Sequence, residues 1–534
     1  MPRPEAPRPR AQLFSTWLPA LLLGALLAAI LAMTAGLMTP GLVGYINDDG
    51  IYVATARALA SGMGYVYSYS PSLEVATRYP ILYPAMLAAI CWLFPHPTEQ
   101  LVAMQWHSTL HGVAFLGLTF VFLVRGLALR PLPALGIVAL AGLNPILQDM
   151  GTQIMSDVPF ATFSLLALLL LVRGIRRERL GWLILAGVFI ALASMIRYQG
   201  AVIAVAGVLT LWSARRFWLG TALGAASALA FAPWLLWTVL NKAGDYGANF
   251  SLMTAGMGPA GMVREFARSA HFVMVKAIPG AFFPALSPTW SQDLGLLDTS
   301  PWVVVLGYGI SLLVLAGMGL AIIRPRNVAE RLVAIYAALT LLLVVAWSLG
   351  YTYLGYWHGV RLTLCLLPFY VYFGAAAFLR LGSFMPPYRM HGIMGVFLAM
   401  GIVGGVQAYP AELASREAFK DRARAYSQAF AFVRARLPER AVIGSIEAPI
   451  VHLYTGRPTV TIDLDPGSLP EAIARDDLDY LFGAPRLYGK EDAWAGFVNQ
   501  VLKQYPDLLA PAFINQHTGL SVWLIDREVA ESHR

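Results

Sequence analysis

The 534-residue chain is 58% hydrophobic and only 13% charged, with a mean hydropathy of +0.62. A soluble domain carries about a quarter charged residues, so this composition excludes an ordinary soluble protein and indicates a polytopic α-helical membrane protein. The net charge of +8 does not signal nucleic-acid binding, because the Lys and Arg residues fall mostly between apolar runs and act as topology signals.

The N-terminal residues 1–16 are rich in Pro and Arg and read as a disordered cytoplasmic tail. The run from Trp17 to Met38 has the length of a bilayer span and is expected to be retained rather than cleaved. Arg3, Arg8 and Arg10 precede it, so it runs from inside to outside. Residues 39–99 follow as the first outer loop. Its apolar segment 81–94 is short for a span and reads as an interfacial helix on the outer leaflet.

Ten further spans are expected at about 100–124, 133–149, 157–172, 181–196, 199–213, 217–240, 301–323, 332–350, 359–379 and 391–409, giving about eleven in all. With 81–94 left out of the membrane, every inner loop is basic: Arg125 and Arg130; Arg173, Arg176, Arg177 and Arg179; Arg215 and Arg216; Arg324, Arg326 and Arg331; Arg380 and Arg389. Counting 81–94 as a span would move the 173–179 and 215–216 clusters outside, against the charge bias.

Residues 241–300 form a long outer loop rich in Gly, Pro and aromatics, either a plain covering loop or a lid. Its AFFPAL stretch is expected to dip into the interface. The membrane domain thus covers 17–409. After Tyr409 the charge content rises, and helix-like and strand-like stretches alternate. Residues 410–534 therefore read as a soluble α/β domain, placed outside by the helix count. Asp463, Asp465, Asp476 and Asp477 within it read as solvated or capping. No Gly-rich phosphate loop occurs there.

The chemistry-bearing groups lie at span ends. Asp48 and Asp49 follow the first span. Carboxylates beside lipid are functional candidates, against the plainer reading of a capped helix start. Asp157 in MSDVPF opens a later helix on the same outer side and has the same two readings. Arg78 in TRYP, Arg197 in IRYQG, and His358 with Arg361 in YWHGVRL are cations at the membrane edge. Each needs an anion, and a lipid phosphate or one of the Asp residues would serve. Together they describe a boundary site with carboxylates to accept a proton and guanidinium groups to hold a phosphate. His107 and His111 stand one helical turn apart, a spacing that can bind metal, but with no third ligand nearby they read as polar packing. Cys91 and Cys365 suggest neither a disulfide framework nor a zinc site.

In order and spacing, these stretches resemble the GT-C superfamily of membrane glycosyltransferases, near the protein O-mannosyltransferase and aminoarabinose-transferase branch. NDDGIYVATARALASGMGY is similar to the first-loop motif, RYPILYPAMLAAICWLFP to the amphipathic loop helix, MSDVPF to the second carboxylate motif and HGVRLTLCLLPF to the late Arg…Pro helix. The match covers about residues 10–410. The second acidic position, commonly Glu in that branch, is the shorter Asp49 here.

The resemblance implies a hexosyl- or pentosyltransferase of the cell membrane. It would move a sugar, with inversion, from a polyprenyl-phosphate donor to a lipid, glycan or protein acceptor on the outer face. By that likeness Asp48 is the base or acceptor-positioning carboxylate, with Asp49 and Asp157 in support. Arg78 and Arg361, with His358 and Arg197 beside them, hold the donor phosphate. No cofactor is implied, and a divalent metal is left open. A transporter or lipid flippase is the alternative from another class. It would show paired repeats and ionisable groups near mid-membrane, whereas the charges here lie at helix ends and no repeat is evident.

Overall fold

The structure, a computed structural model, describes residues 10–39, 43, 48–241, 257–284, 300–347, 361–382, 386–483, 492–516 and 518–533. The helices of the membrane portion are α1 Arg10–Gly36, α2 Asp48–Ala60, α3 Leu82–Leu93, α4 Pro97–Val121, α5 Pro131–Gly142, α6 Pro145–Thr152, α7 Asp157–Arg177, α8 Leu180–Ile196, α9 Ala201–Ser213, α10 Phe217–Leu240, α11 Pro259–Phe272, α12 Pro301–Ile323, α13 Val328–Trp347, α14 Leu367–Leu381 and α15 Pro387–Arg436.

Among the described residues, eight helices are long and apolar enough to cross a membrane. The bent pair α5–α6 and the shorter α8 and α9 occupy the remaining expected crossings. The protein is a multi-pass membrane protein. α7, α13 and α14 are the most enclosed, while α1 and the membrane half of α15 are largely exposed on its flank. Where helices cross closely, small residues make the contact possible. A methyl group on Gly187 of α8 would lie 2.9 Å from Ala226 Cβ of α10.

α3 has 12 residues and so rises about 18 Å, well under the ~30 Å of a hydrocarbon core. It packs on α2 instead. The expected straight span at 133–149 is broken: α5 and α6 meet at 60°. Asn144 caps the second piece by accepting from the Ile146 N–H at 3.0 Å, and Pro145 sits at its first position. Every residue of α6 is buried. Within residues 241–300, α11 leads through a π-turn into a short buried helix at Ile278–Gly280, whose Gly280 carbonyl accepts from Asn144 Nδ2 at 2.9 Å. Phe282, Phe283 and Pro284 of the AFFPAL stretch follow directly; its last two residues fall outside the described set.

α15 is 50 residues long, about 75 Å at 1.5 Å per residue. It therefore leaves the bilayer and enters the C-terminal domain without a break. The composition change at Tyr409 falls inside this helix, and Pro410 is carried within it. The C-terminal domain adds β1 Ile443–Ser445, α16 Ala448–Thr455, β2 Thr459–Thr461, α17 Leu469–Asp476, β3 Tyr480–Gly483, α18 Asp492–Gln504, β4 Leu509–Ile514, β5 Ser521–Ile525 and α19 Arg527–Ser532. The strands form one sheet in the order β2-β1-β3-β5-β4. The β1–β2 and β1–β3 pairs are parallel; β3–β5 and β4–β5 are antiparallel.

This domain sits on the loop that follows α1. Tyr454 Oη donates to the Val43 carbonyl at 2.8 Å, and the Thr459 N–H donates to the Tyr69 carbonyl at 2.8 Å. α16 packs on α2. Phe430 of α15, stacked on both Tyr454 and Phe482, ties the long helix to the sheet.

Candidate active site

Four elements bring their ends to one place. α2 supplies Asp48 as its first residue and α7 supplies Asp157 as its first. Arg197 lies at the end of α8 in extended backbone (φ −149°, ψ 134°). Arg361 precedes α14. Carboxylates at helix N-termini are favoured by the helix dipole, and here that preference also aims them at cations.

Asp48 uses both oxygens. Oδ1 accepts from Tyr79 Oη at 2.6 Å, and Oδ2 accepts from Arg361 Nη2 at 3.2 Å. Arg361 in turn places Nε 3.3 Å from Asp157 Oδ1, and Arg197 Nη1 lies 2.8 Å from Asp157 Oδ2. The order is therefore Asp48–Arg361–Asp157–Arg197, with signs alternating and charges summing to zero. Asp157 and Arg361 are buried, and Asp48 is the more accessible carboxylate at 14% side-chain exposure against 2% for Asp157.

Hydroxyl groups complete the network. Ser156 makes no side-chain cap on α7. Its Oγ instead accepts from Arg197 Nη1 at 3.0 Å and shares a hydrogen bond with Tyr52 Oη at 2.9 Å. The Tyr52 ring packs 4.8 Å from both Tyr79 and Tyr83, edge-on to the latter. Burial pushes the Tyr52 phenol well above its ordinary value, so it stays protonated as a hydrogen-bonding group.

The sequence candidates do not all converge. Successive helical residues point about 100° apart, so Asp49 leaves α2 in a different direction from Asp48. It is fully buried, accepts from the Gly50 N–H at 2.9 Å, and lies near Tyr454 of the C-terminal domain. There burial, with the Asp49 charge added, drives the Tyr454 phenol upward. Arg78 is half-buried beside the network, its guanidinium 5.3 Å from the Tyr79 ring centroid. His358 lies outside the described residues. His107 and His111 pack edge-on with ring centroids 4.6 Å apart, and His107 lies 6.1 Å from the Tyr83 ring. No group of three His, Cys, Asp or Glu side chains gathers to hold a metal among the described residues.

Tyr79, Tyr52 and Ser156 are the site residues that sequence reasoning passed over. Tyr79 follows Arg78 directly in TRYP, and Ser156 precedes Asp157 in MSDVPF, so each stood beside a flagged charge. A second carboxylate was also missed. Asp149 of α6, in the apolar stretch NPILQDM, pairs with Arg416 of α15, and Arg416 Nε lies 3.2 Å from Glu412 Oε1.

Residues 78–237 match the family model described as dolichyl-phosphate-mannose-protein mannosyltransferase. The matched segment carries Tyr79, Ser156, Asp157 and Arg197 of the network. Among solved structures, the chain is similar to ArnT from Cupriavidus metallidurans bound to undecaprenyl phosphate. The identity is 14% and the TM-score 0.51, over 96% of this chain and 98% of that one. The apo state of the same protein matches at 13% identity and a TM-score of 0.52, over 96% and 99%. No curated protein sequence matches the chain.

Proposed function

We propose that this chain, a membrane glycosyltransferase of the GT-C fold, is an inverting enzyme that takes a sugar from a polyprenyl-phosphate donor at the outer face of the membrane. The transporter alternative is set aside, since both the family match and the fold match are to transferases. The observation that carries the mechanism is Asp48. It is a carboxylate at a helix start, held on both oxygens yet still reachable, at the mouth of a charge-balanced cluster.

In the reaction, an acceptor hydroxyl approaches Asp48 and gives up its proton to a carboxylate oxygen as its own oxygen bonds to the anomeric carbon. The bond from that carbon to the phosphate oxygen breaks on the opposite face, and the polyprenyl phosphate leaves with the electron pair. Asp157 and Arg197 fix Arg361, and Arg361 faces the phosphate as its charge grows. Arg78, beside Tyr79 at the edge of the cluster, adds a second guanidinium for the donor phosphate. Asp49 supports the site at one remove, by fixing α2 against the C-terminal domain. We assign His358 to the donor side. Residues 410–534 form the extracytoplasmic domain facing the acceptor, which is a lipid, glycan or protein.

Purified chain should transfer sugar from a polyprenyl-phosphate donor with inverted anomeric configuration, read by NMR of the product. Retained configuration would overturn the single-displacement mechanism. Full activity in Asp48→Asn would remove the base. Reporters fused at the two termini test the orientation: the N-terminus should be cytoplasmic and the C-terminus outside.

A further inference from the structure

Arg361 holds two carboxylates with one guanidinium, and the two are not held alike. Asp157 has a second cation in Arg197 at 2.8 Å and is almost wholly enclosed. Asp48 has Tyr79 as its other donor and is the exposed partner. An anion entering the site therefore meets the Arg361–Asp48 contact first, while the contact to Asp157 is sheltered.

We propose that Arg361 is exchanged between Asp48 and the donor phosphate during transfer, pivoting on its Nε contact to Asp157. This inference rests on the donor and base roles given above. It follows from charge conservation in the step. A sugar phosphodiester carries one negative charge, and the phosphate that leaves carries up to two. The added charge comes from the acceptor hydroxyl, whose proton ends on Asp48. Asp48 thus loses its charge, and its hold on Arg361, at the moment the phosphate gains charge. A guanidinium shared by both follows the charge, and no second cation need enter the site. Tyr79 keeps Asp48 oriented when Arg361 departs.

The exchange makes a binding prediction that does not depend on turnover. Before reaction, Asp48 and the lipid phosphate compete for Arg361. Asp48→Asn should therefore bind undecaprenyl phosphate at least about tenfold more tightly than wild type, the scale of one charge-assisted hydrogen bond. The double variant Asp48→Asn/Arg361→Gln should lose that gain. Tyr79→Phe removes the other donor to Asp48, tightens its claim on Arg361, and should weaken binding severalfold. Affinity is measured by titrating undecaprenyl phosphate into the detergent-purified full chain, with melting temperature followed for each variant.

Opposite signs at two adjacent groups are not what loosened packing produces. Equal or weaker binding in a folded Asp48→Asn, or a gain that survives in the double variant, overturns the exchange while leaving the donor reading intact. If Asp48→Asn does not fold, unchanged or tighter binding in Tyr79→Phe overturns it. Failure of wild type to bind undecaprenyl phosphate removes the donor reading, and the exchange with it.

Discussion

Among the described residues, two buried arginines are each set between two carboxylates. At the first, Arg361 joins Asp48 to Asp157, and Asp48 keeps 14% of its side-chain surface open. At the second, Arg416 joins Asp149 of α6 to Glu412 of its own helix and donates to Thr152 Oγ1 at 3.1 Å. There all three charged side chains are at most 3% exposed. Both use a guanidinium between carboxylates, but the first has Arg197 as a second cation and leaves one carboxylate partly open, whereas the second is enclosed. A sealed ion cluster cannot meet a substrate. What it can do is fix the angle at which α15 leaves the membrane beside the bent α5–α6 pair, because breaking it strands a buried charge. The open cluster gives up some of that enclosure and gains a carboxylate that an acceptor can reach.

The largest effect should separate the two clusters outright. Asp48→Asn is expected to lower kcat by about 10²–10⁴-fold, the range for loss of a general base, with little change in melting temperature. Asp149→Asn should do the reverse, leaving kcat per folded molecule near wild type. A catalytic collapse in Asp149→Asn equal to that of Asp48→Asn would end the distinction.

Next in size is stability. Arg416→Ala leaves two buried carboxylates facing one another and should cost about 3–5 kcal/mol, seen as a lower melting temperature and poor recovery of folded protein. Arg416→Met combined with Asp149→Leu and Glu412→Leu should restore most of it, since apolar replacement of a whole buried ion cluster is often neutral.

The contrast also shows what the sequence could tell. Asp48, Asp157, Arg197 and Arg361 were legible because a charge at the end of an apolar run stands out, and the helix-end positions put all four on one level. Tyr79, Tyr52 and Ser156 were not, since a hydroxyl at a membrane boundary carries no such contrast. The pairing of Asp149 with Arg416 joins residues 267 apart, and no local pattern connects them. In the fold, β1, β2, β3 and β5 could be read from their β-branched and aromatic runs, but β4 contains Pro511, which argues against a strand. It is tolerated at the sheet edge, beside the irregularity between Pro511 and Phe513. The break between α5 and α6 was announced by Asn144-Pro145, a cap followed by a first-turn proline, yet hydropathy alone averaged across it.

A smaller effect should sharpen the division of labour around the open cluster. Arg78 lies outside the balanced four charges, so Arg78→Ala is expected to raise KM for the donor by about tenfold, one charge-assisted contact. Its kcat should stay nearly unchanged, and Arg78→Lys should recover part of the loss. Steady-state kinetics with varied donor decides it. A fall in kcat at unchanged KM would move Arg78 from donor binding to the chemical step.

The smallest effect concerns how the C-terminal domain is seated on the loop that carries Asp48. His452 of α16 donates from Nδ1 to the Arg457 carbonyl at 2.9 Å, and burial lowers its pKa below the ordinary 6.5. The unfolded chain then binds a proton near pH 6.5 that the folded domain resists. Stability is fully present above that pH and is lost as the pH falls toward the lower folded value. Between pH 7.5 and 5.5 the domain should melt a few degrees lower at the acid end, about the shift a single group gives, and His452→Gln should remove that slope. The same scan on Arg416→Ala should keep it, because His452 lies in the seat of the domain and not in the sealed cluster. A slope that vanished with Arg416 instead would mean that the seat and the cluster open as one unit.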